Sequence, residues 1–304
     1  MSIGNPLFIM KKIIERHNMN APKALLYEIF IRLYQRRLFR SLLRPLFKES
    51  LPINVHFVVG CYNSGTTVIK QAIALHPEFS CAPVEGDLLT SAMDRHEQGG
   101  WPRCMVANSF NIVAERKSSF FDSGQFISDL RPWIDNKKNF LEKSISNSFR
   151  VPILRKNFPN ARFVCVTRHA DTVVSGIQNR SNPTGMARLL LNNGEYPVRL
   201  LLRQWLFFYS FLLKDYRSNP SDTYVCSYEK FILDPYKELI QIYNFLNLDS
   251  SGLRFKSNVL SYGSRKLEVK AASKKINTSD FIENSEQLEK EIKLINGVLS
   301  RGER

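Results

Sequence analysis

The stretch that decides the fold is Val55-His-Phe-Val-Val59-Gly60-Cys-Tyr-Asn-Ser-Gly65-Thr66-Thr67. Its first five residues are mostly β-branched or aromatic and predict a short strand. A helix is expected from Thr66 to Leu75. The two glycines between these elements have the spacing of a P-loop, G-x-x-x-x-G-K-[ST], which turns backbone N–H groups and a helix N-terminus toward an oxyanion. The sequence therefore predicts an anion-binding loop between a strand and a helix.

Thr66 stands where a P-loop has its Lys. Kinases and ATPases use that Lys on the β- and γ-phosphates of a nucleoside triphosphate. Its absence argues against triphosphate chemistry, and the loop suits one terminal phosphate or phosphosulfate. We expect backbone amides and the hydroxyls of Ser64, Thr66 and Thr67 to hold that group.

The alternation of strands and helices continues beyond this loop. A second strand is predicted over residues 162–167 and a third over 223–227, each followed by a helical pattern, and a charged helix is predicted from Ser285 to Leu299. Strands that alternate with helices predict a mainly parallel central sheet flanked by helices. We therefore predict a single α/β, P-loop-like domain over residues 51–304, preceded by a basic helical extension over residues 1–50.

Basic residues outnumber acidic ones. The chain of 304 residues contains 43 Lys or Arg and 28 Asp or Glu, which gives a formal net charge of +15. Such an excess indicates an anionic partner: nucleic acid, an acidic membrane surface, or a phosphorylated or sulfated small molecule. Hydrophobic residues make up 43% of the chain, which excludes a wholly disordered protein.

The positive charge is concentrated near the N-terminus, where residues 1–50 hold ten Lys or Arg and three Glu. Apolar residues from Leu25 to Tyr34 recur at helical spacing with arginines near them, and we expect the helix to end at Pro45. Two interpretations stay open. The basic helix packs on the main domain, or residues 20–48 lie on an anionic membrane or an acidic partner.

The cysteines and the hydropathy pattern indicate the compartment. Five cysteines form no C-x-x-C pair, so neither a disulfide framework nor a zinc site is expected, and free thiols are typical of a reducing compartment. No apolar run approaches the roughly 18 residues of a membrane span. The first ten residues lack the basic start of a signal peptide. The sequence therefore predicts a cytoplasmic protein, with peripheral membrane contact as an open addition.

Several segments resemble the PAPS-dependent sulfotransferases, where PAPS is 3′-phosphoadenosine 5′-phosphosulfate. The loop Ser64-Gly-Thr-Thr67 is similar to the family's 5′-phosphosulfate motif. Further segments resemble the family's later motifs in the same order: Ala74–Glu85, Leu141–Ser144, Phe158–Phe163, Arg168–Ser175, Tyr228–Glu229 and Asp234–Pro235. The resemblance extends from Val55 to about Leu248 and is closest to bacterial and tyrosylprotein-type members.

The resemblance implies an enzyme that transfers the sulfonate group of PAPS to a hydroxyl or amine by in-line displacement, with no metal. It implies that Glu85 is the base that removes the acceptor's proton, with Glu142 and Asp87 as substitutes. Lys143 and the Ser64–Thr67 loop would stabilise the transferring group. The acceptor is not identified and could be a glycan, a lipid, a peptide or a small alcohol.

The resemblance also implies a donor site. Arg168 and Ser175 are expected to bind the 3′-phosphate, and Arg180 is a candidate second cation. The residues expected to bind PAPS are Asn63, Ser64, Gly65, Thr66, Thr67, Arg168, Ser175 and Tyr228.

The sequence departs from the family pattern at two points. Asn63 replaces the basic residue that usually precedes the Ser-Gly-Thr-Thr motif and neutralises the sulfonate. Arg168 and Ser175 are about one residue closer than usual, so Gly176 also fits the Ser position. Three alternatives therefore stay open: a P-loop nucleotide-dependent kinase, an inactive PAPS-binding protein and a basic nucleic-acid-binding protein.

Overall fold

The computed structural model describes residues 21–47, 53–93, 100–108, 121–134, 139–191 and 194–250. The helix predicted from Ser285 to Leu299 lies outside the described residues. So do the first 20 residues of the predicted extension and every residue of the predicted main domain after 250.

One sheet of five parallel strands forms the centre of the fold. The strands are β1 (Asn54–Gly60), β2 (Phe79–Cys81), β3 (Asn139–Glu142), β4 (Phe163–Thr167) and β5 (Thr223–Ser227). Their spatial order is β2-β3-β1-β4-β5, and every neighbouring pair is parallel. The predicted α/β class with a parallel central sheet is confirmed.

Helices cover both faces of this sheet. The helices of the described residues are α1 (Ala21–Tyr34), α2 (Arg37–Leu43), α3 (Thr66–Ile73), α4 (Ser123–Leu130), α5 (Val151–Asn157), α6 (Ala170–Gln178), α7 (Met186–Leu189), α8 (Val198–Ser218), α9 (Tyr228–Leu233) and α10 (Pro235–Phe245). Within the described residues, no helix is both long enough and apolar enough to cross a membrane.

The apolar residues of β1 explain its central position. Phe57 and Val59 belong to a large buried cluster that includes Trp205 of α8. Val58 belongs to a second buried cluster with Ile69 of α3. Because alternate residues of a strand face opposite sides of the sheet, β1 is buried on both faces, as a central parallel strand must be.

The sequence did not predict β2 and β3, which form one side of the sheet. Both are short, and β3 includes the polar residues Asn139 and Glu142. Because the strands are parallel, their carboxyl ends meet at one edge of the sheet, where open α/β sheets bind ligands. The loops after β1, β2, β3 and β4 therefore bring their side chains together at this edge.

The N-terminal segment forms two helices rather than the one helix expected to continue to Pro45. Helix α1 ends at Tyr34, Arg36 is extended, and α2 begins at Arg37. The guanidinium of Arg40 donates a hydrogen bond of 3.1 Å to the carbonyl oxygen of Tyr34. That contact satisfies an acceptor at the end of α1 that a continuous helix would have used itself, so the break is stabilised.

Asp129 of α4 attaches these two helices to the main domain. Its carboxylate is fully buried, accepts a hydrogen bond of 2.9 Å from Arg44 Nη2 and lies 3.6 Å from Arg40 Nε. It also accepts hydrogen bonds from Thr90 Oγ1 at 3.1 Å and from the N–H of Ser91 at 2.8 Å. A buried carboxylate with this many donors is stabilising only while the whole set is intact.

We predict that Asp129→Asn lowers the free energy of unfolding by about 3 kcal/mol, because it removes the fully buried negative charge that faces the guanidinium groups of Arg40 and Arg44. The measurement is equilibrium unfolding in urea. Glu195→Gln removes the charge of an exposed carboxylate and should change the value by less than about 0.5 kcal/mol. If the two variants were equally stable, Asp129 would not be the attachment point.

Candidate functional site

The loop between β1 and α3 has the close backbone packing of an anion-binding loop. Gly65 has φ 100°, and a Cβ at this position would lie 2.2 Å from the Tyr228 ring. Glycine is required here because it alone adopts this backbone without strain and leaves room for that ring. Helix α3 begins directly afterwards at Thr66, so its first N–H groups lie at the loop.

The hydroxyl residues of the loop differ in exposure. Ser64 is buried, and its hydroxyl donates a hydrogen bond of 2.7 Å to the carbonyl oxygen of Cys61. Thr66 is buried and Thr67 is exposed. The structure therefore brings the three predicted hydroxyls together in the loop, and the proton of Ser64 stabilises the loop itself.

Arg168 follows β4 and reaches this loop. Its guanidinium lies 4.4 Å from the centre of the Tyr228 ring and donates a hydrogen bond of 2.9 Å to the carbonyl oxygen of Asn63. Its main-chain oxygen accepts a hydrogen bond of 2.9 Å from Trp205 Nε1. Burial lowers the pKa of Arg168 below its ordinary value. Arg168 Nε is buried and has no hydrogen-bond partner among the residues that the structure describes.

Two further arginines meet the side chain of Asn63. Arg103 Nη1 donates a hydrogen bond of 2.8 Å to Asn63 Oδ1, and Arg180 Nη1 lies 3.4 Å from the same oxygen. The sequence identified Arg180 as a candidate cation and missed Arg103. No motif marks Arg103, because its contact depends on a loop that the sequence left without structure.

Ser175 and Gly176 lie on α6. The hydroxyl of Ser175 donates a hydrogen bond of 2.7 Å to the carbonyl oxygen of Asp171, one turn earlier. A Cβ at Gly176 would lie 3.4 Å from Asn63 Cβ, so Gly176 is the residue of the two that packs against the loop. The assignment of Ser175 to the 3′-phosphate remains a prediction.

Glu85 and Lys143 form an ion pair on the β2–β3 side of the same edge. The Lys143 side chain is 5% exposed, whereas that of Glu85 is 33% exposed. The predicted pair is therefore in direct contact, with the carboxylate on the side that an acceptor can reach.

Glu142 positions the turn that contains Glu85. It is fully buried and accepts hydrogen bonds from the N–H of Gly86 at 2.9 Å, from Ser144 Oγ at 2.6 Å and from Asn147 Nδ2. Burial raises the pKa of its carboxyl group. A Cβ at Gly86 would lie 2.5 Å from Glu142 Oε1, so this close approach requires glycine.

Asp87 is also buried. Its Oδ2 accepts a hydrogen bond of 3.0 Å from Ser146 Oγ. Burial, with the neighbouring carboxylates of Glu85 and Glu142, raises the pKa of Asp87 to about 7. Because Asp87 and Glu142 are both buried and bonded internally, Glu85 is the carboxylate of the three that is accessible to an acceptor.

The loop fits the anionic part of a nucleotide. Within the part of the chain that the structure describes, Arg168 Nε and Asn63 Nδ2 are buried donors without partners, and buried polar groups are normally satisfied. The guanidinium groups of Arg103, Arg168 and Arg180 all contact Asn63. An anion held at the loop would supply acceptors for the two donors and balance this positive charge.

Comparison with known proteins gives concordant results. The model of the sulfotransferase family matches residues 56–251, well over half of the chain. A "Putative protein-tyrosine sulfotransferase" from Caenorhabditis briggsae is 25% identical over 206 residues, which cover 64% of this chain and 66% of the relative, a little under two thirds of its length.

Two solved structures share the fold. Sulfotransferase STF9 from Mycobacterium avium has a TM-score of 0.51 at 12% identity and covers 97% of this chain and 96% of its own. Sulfotransferase STF1 from Mycobacterium tuberculosis H37Rv has a TM-score of 0.51 at 13% identity, with 95% and 90% covered. The predicted P-loop-like architecture is therefore confirmed.

Proposed function

The chain belongs to the sulfotransferase family, as its motifs predicted, and we propose that it transfers the sulfonate group of PAPS to a hydroxyl or amine of an acceptor. One observation carries this proposal. At the carboxyl edge of the sheet, the loop containing Gly65 lies beside the buried Arg168, whose Nε has no partner in the described part of the chain, and the Glu85–Lys143 ion pair lies at the same edge.

The loop and Arg168 would hold the donor. N–H groups at the start of α3 and the hydroxyls of Thr66 and Thr67 suit the 5′-phosphosulfate, while Ser64, whose proton is bonded to Cys61, would hold the loop in shape. Arg168 suits the 3′-phosphate, since no described residue accepts a hydrogen bond from its Nε. Tyr228 supports this arginine, because its ring packs against both the guanidinium and Gly65. Arg180 would add a second positive charge.

Glu85 and Lys143 would carry out the transfer. The acceptor oxygen or nitrogen forms a bond to sulfur while the bond from sulfur to the 5′-phosphate oxygen breaks, which releases adenosine 3′,5′-bisphosphate. Glu85 accepts the acceptor's proton, and Lys143 stabilises the negative charge on the sulfonate and the leaving oxygen. Their direct contact supports these roles, because both groups must reach the reacting atoms.

We predict that Arg168→Ala weakens binding of adenosine 3′,5′-bisphosphate about 10- to 100-fold, because charge-assisted hydrogen bonds to the 3′-phosphate are lost. Isothermal titration calorimetry measures this. Affinity for adenosine 5′-monophosphate, which lacks the 3′-phosphate, should change little. Arg217→Ala, at an exposed position near the end of α8, is the matched control.

Thermal-shift measurements with different ligands, together with a transfer assay, separate the alternatives. Thermal stabilisation by ATP and not by adenosine 3′,5′-bisphosphate would contradict the proposal and favour a kinase. Stabilisation by an oligonucleotide alone would favour a nucleic-acid-binding protein. Binding of PAPS without transfer to any acceptor would favour the inactive PAPS-binding protein.

We predict that Glu85→Gln lowers turnover about 100-fold or more while the affinity for PAPS stays within about twofold, because the variant removes the base and keeps the donor site. Sulfonate transfer from radiolabelled PAPS is the measurement. Glu78→Gln makes the same change just before β2, at the opposite edge of the sheet, and should be neutral. Wild-type turnover in Glu85→Gln would exclude Glu85 as the base.

The acceptor has to be found before this assay is run. The name of the C. briggsae relative makes a tyrosine-containing peptide the first acceptor to test. Glycans, lipids and small alcohols form the rest of the panel. Transfer to one class identifies the acceptor, and that acceptor is then used as the substrate in every turnover measurement.

We also propose that α1 and α2 contact an anionic membrane surface. Leu38 and Leu42 of α2 are 83% and 77% exposed, and Leu46, in the 3-10 turn Arg44–Phe47 that follows α2, is 73% exposed. Arg36 and Arg37 lie beside them and are exposed. Apolar side chains next to basic ones are typical of helices that lie at a lipid headgroup layer.

We predict that the full chain sediments with vesicles of phosphatidylcholine and phosphatidylglycerol and not with phosphatidylcholine alone. The variant Arg36→Gln with Arg37→Gln should bind about 30-fold less, since each of the two basic residues contributes about 1 kcal/mol near an anionic surface. Leu38→Glu with Leu42→Glu should abolish binding. Equal binding to both vesicle types, or concentration-dependent dimers lost in the leucine variant, would contradict the proposal.

A further inference from the structure

We propose that Arg103 binds the transferring sulfonate and supplies the positive charge that Asn63 lacks. This inference rests on the proposed function. Arg103 lies on a different segment from the anion loop, 40 residues later in the chain, and reaches that loop through its side chain.

The contacts of Asn63 place Arg103 at the loop. Asn63 Oδ1 accepts the 2.8 Å hydrogen bond from Arg103, and the main-chain oxygen of Asn63 accepts the 2.9 Å bond from Arg168. Asn63 therefore lies between two guanidinium groups, one at its side chain and one at its backbone. Its Nδ2 is buried and has no partner among the described residues, so an acceptor can be added at this point.

The backbone of Asn63 favours asparagine over a long basic residue. Its φ is 58°, in the left-handed region, where asparagine is enriched among the non-glycine residues. Gly176 lies beside its side chain, since a Cβ added there would be in ordinary van der Waals contact with Asn63 Cβ at 3.4 Å. A cation from a separate segment is thus compatible with the loop, and asparagine orients it through a hydrogen bond.

The segment around Arg103 is held in a strained conformation. Arg103 has φ 60°. Gln204 of α8, which is fully buried, donates a hydrogen bond of 2.9 Å to the carbonyl oxygen of Arg103 and accepts one of 2.6 Å from the N–H of Met105. The hydroxyl of Tyr196 donates a hydrogen bond of 2.9 Å to the carbonyl oxygen of Pro102. Strain that buried side chains maintain on both sides of one residue is characteristic of functional positions.

The charge of Arg103 has no counter-ion within the part of the chain that the structure describes. Its observed partner there is the neutral amide of Asn63, and the side chain is only partly exposed. A sulfonate at the loop would provide the missing negative charge. During transfer, negative charge grows on the oxygen that leaves sulfur, and a guanidinium already oriented there stabilises it without reorganisation.

The test compares two ligands that differ by the sulfonate. Arg103→Met removes the charge and retains most of the packing. We expect it to weaken binding of PAPS about 10-fold more than binding of adenosine 3′,5′-bisphosphate, because only PAPS has the sulfonate. Calorimetric titration gives both affinities, and Arg217→Ala is again the control. Arg103→Lys should lose less than Arg103→Met.

Moving the positive charge from position 103 to position 63 gives a second test. Arg103→Met should lower turnover about 100-fold, the usual effect of removing one group that stabilises a transition state. Asn63→Lys in the Arg103→Met background should restore part of this turnover, whereas Asn63→Gln should not. A merely structural Arg103 would give no such rescue.

The outcomes distinguish this inference from the function on which it rests. If Arg103→Met weakened both ligands equally, or neither, Arg103 would not bind the sulfonate, while the sulfotransferase function would stand. If wild-type protein bound neither PAPS nor adenosine 3′,5′-bisphosphate, the proposed function itself would fail. Circular dichroism and thermal unfolding confirm that each variant is folded.

Discussion

The close packing around Gly60, at the carboxyl end of β1, is the constraint on which the site depends. A Cβ at this residue would lie 2.6 Å from the carbonyl oxygen of Val166 in β4. On the other side, the buried hydroxyl of Ser148 accepts the N–H of Gly60 at 2.9 Å and donates to its carbonyl oxygen at 3.1 Å. The anion loop is thereby held against β4, which leads to Arg168, and against the segment that follows Lys143. One crowded backbone position connects the two halves of the site.

The central part of the fold was predictable because its signals are local. A strand, a glycine-spaced loop and a helix occur in sequence at Val55–Thr66, and β4 and β5 are apolar runs of the same kind. The two strands on the other side of β1, β2 and β3, gave no such signal. Phe79–Cys81 has three residues, and Asn139–Glu142 ends in a carboxylate that reads as a surface residue but is fully buried. Polar residues that are needed at the site interrupt the apolar pattern by which strands are recognised in a sequence.

The site was predictable where a role depends on one motif and unpredictable where it depends on distant contacts. The ion pair of Glu85 and Lys143 joins two predicted residues. Glu142 holds the turn of Glu85 through the N–H of Gly86. The position of Arg103 depends on its left-handed backbone, which Gln204 stabilises by a hydrogen bond. Those contacts join segments that are 56 and 101 residues apart. Periodicity and spacing carry no information about such contacts.

Electrostatics explains how one edge of a sheet can accept a polyanion beside three carboxyl groups. Burial raises the pKa of Glu142 and brings that of Asp87 to about 7. Together with Glu85, these carboxyl groups therefore carry less negative charge near neutral pH than three fully ionised carboxylates would. The arginines also differ, in whether a carboxylate balances their charge. Arg155 pairs with Asp215 and Asp222 at 2.9 and 2.6 Å, which satisfies its charge within the fold. Arg103 and Arg168 form no ion pair with any described residue, and both bond to Asn63. Two arginines that form no ion pair among the described residues therefore lie together where an anionic donor would bind, which total charge alone could not indicate.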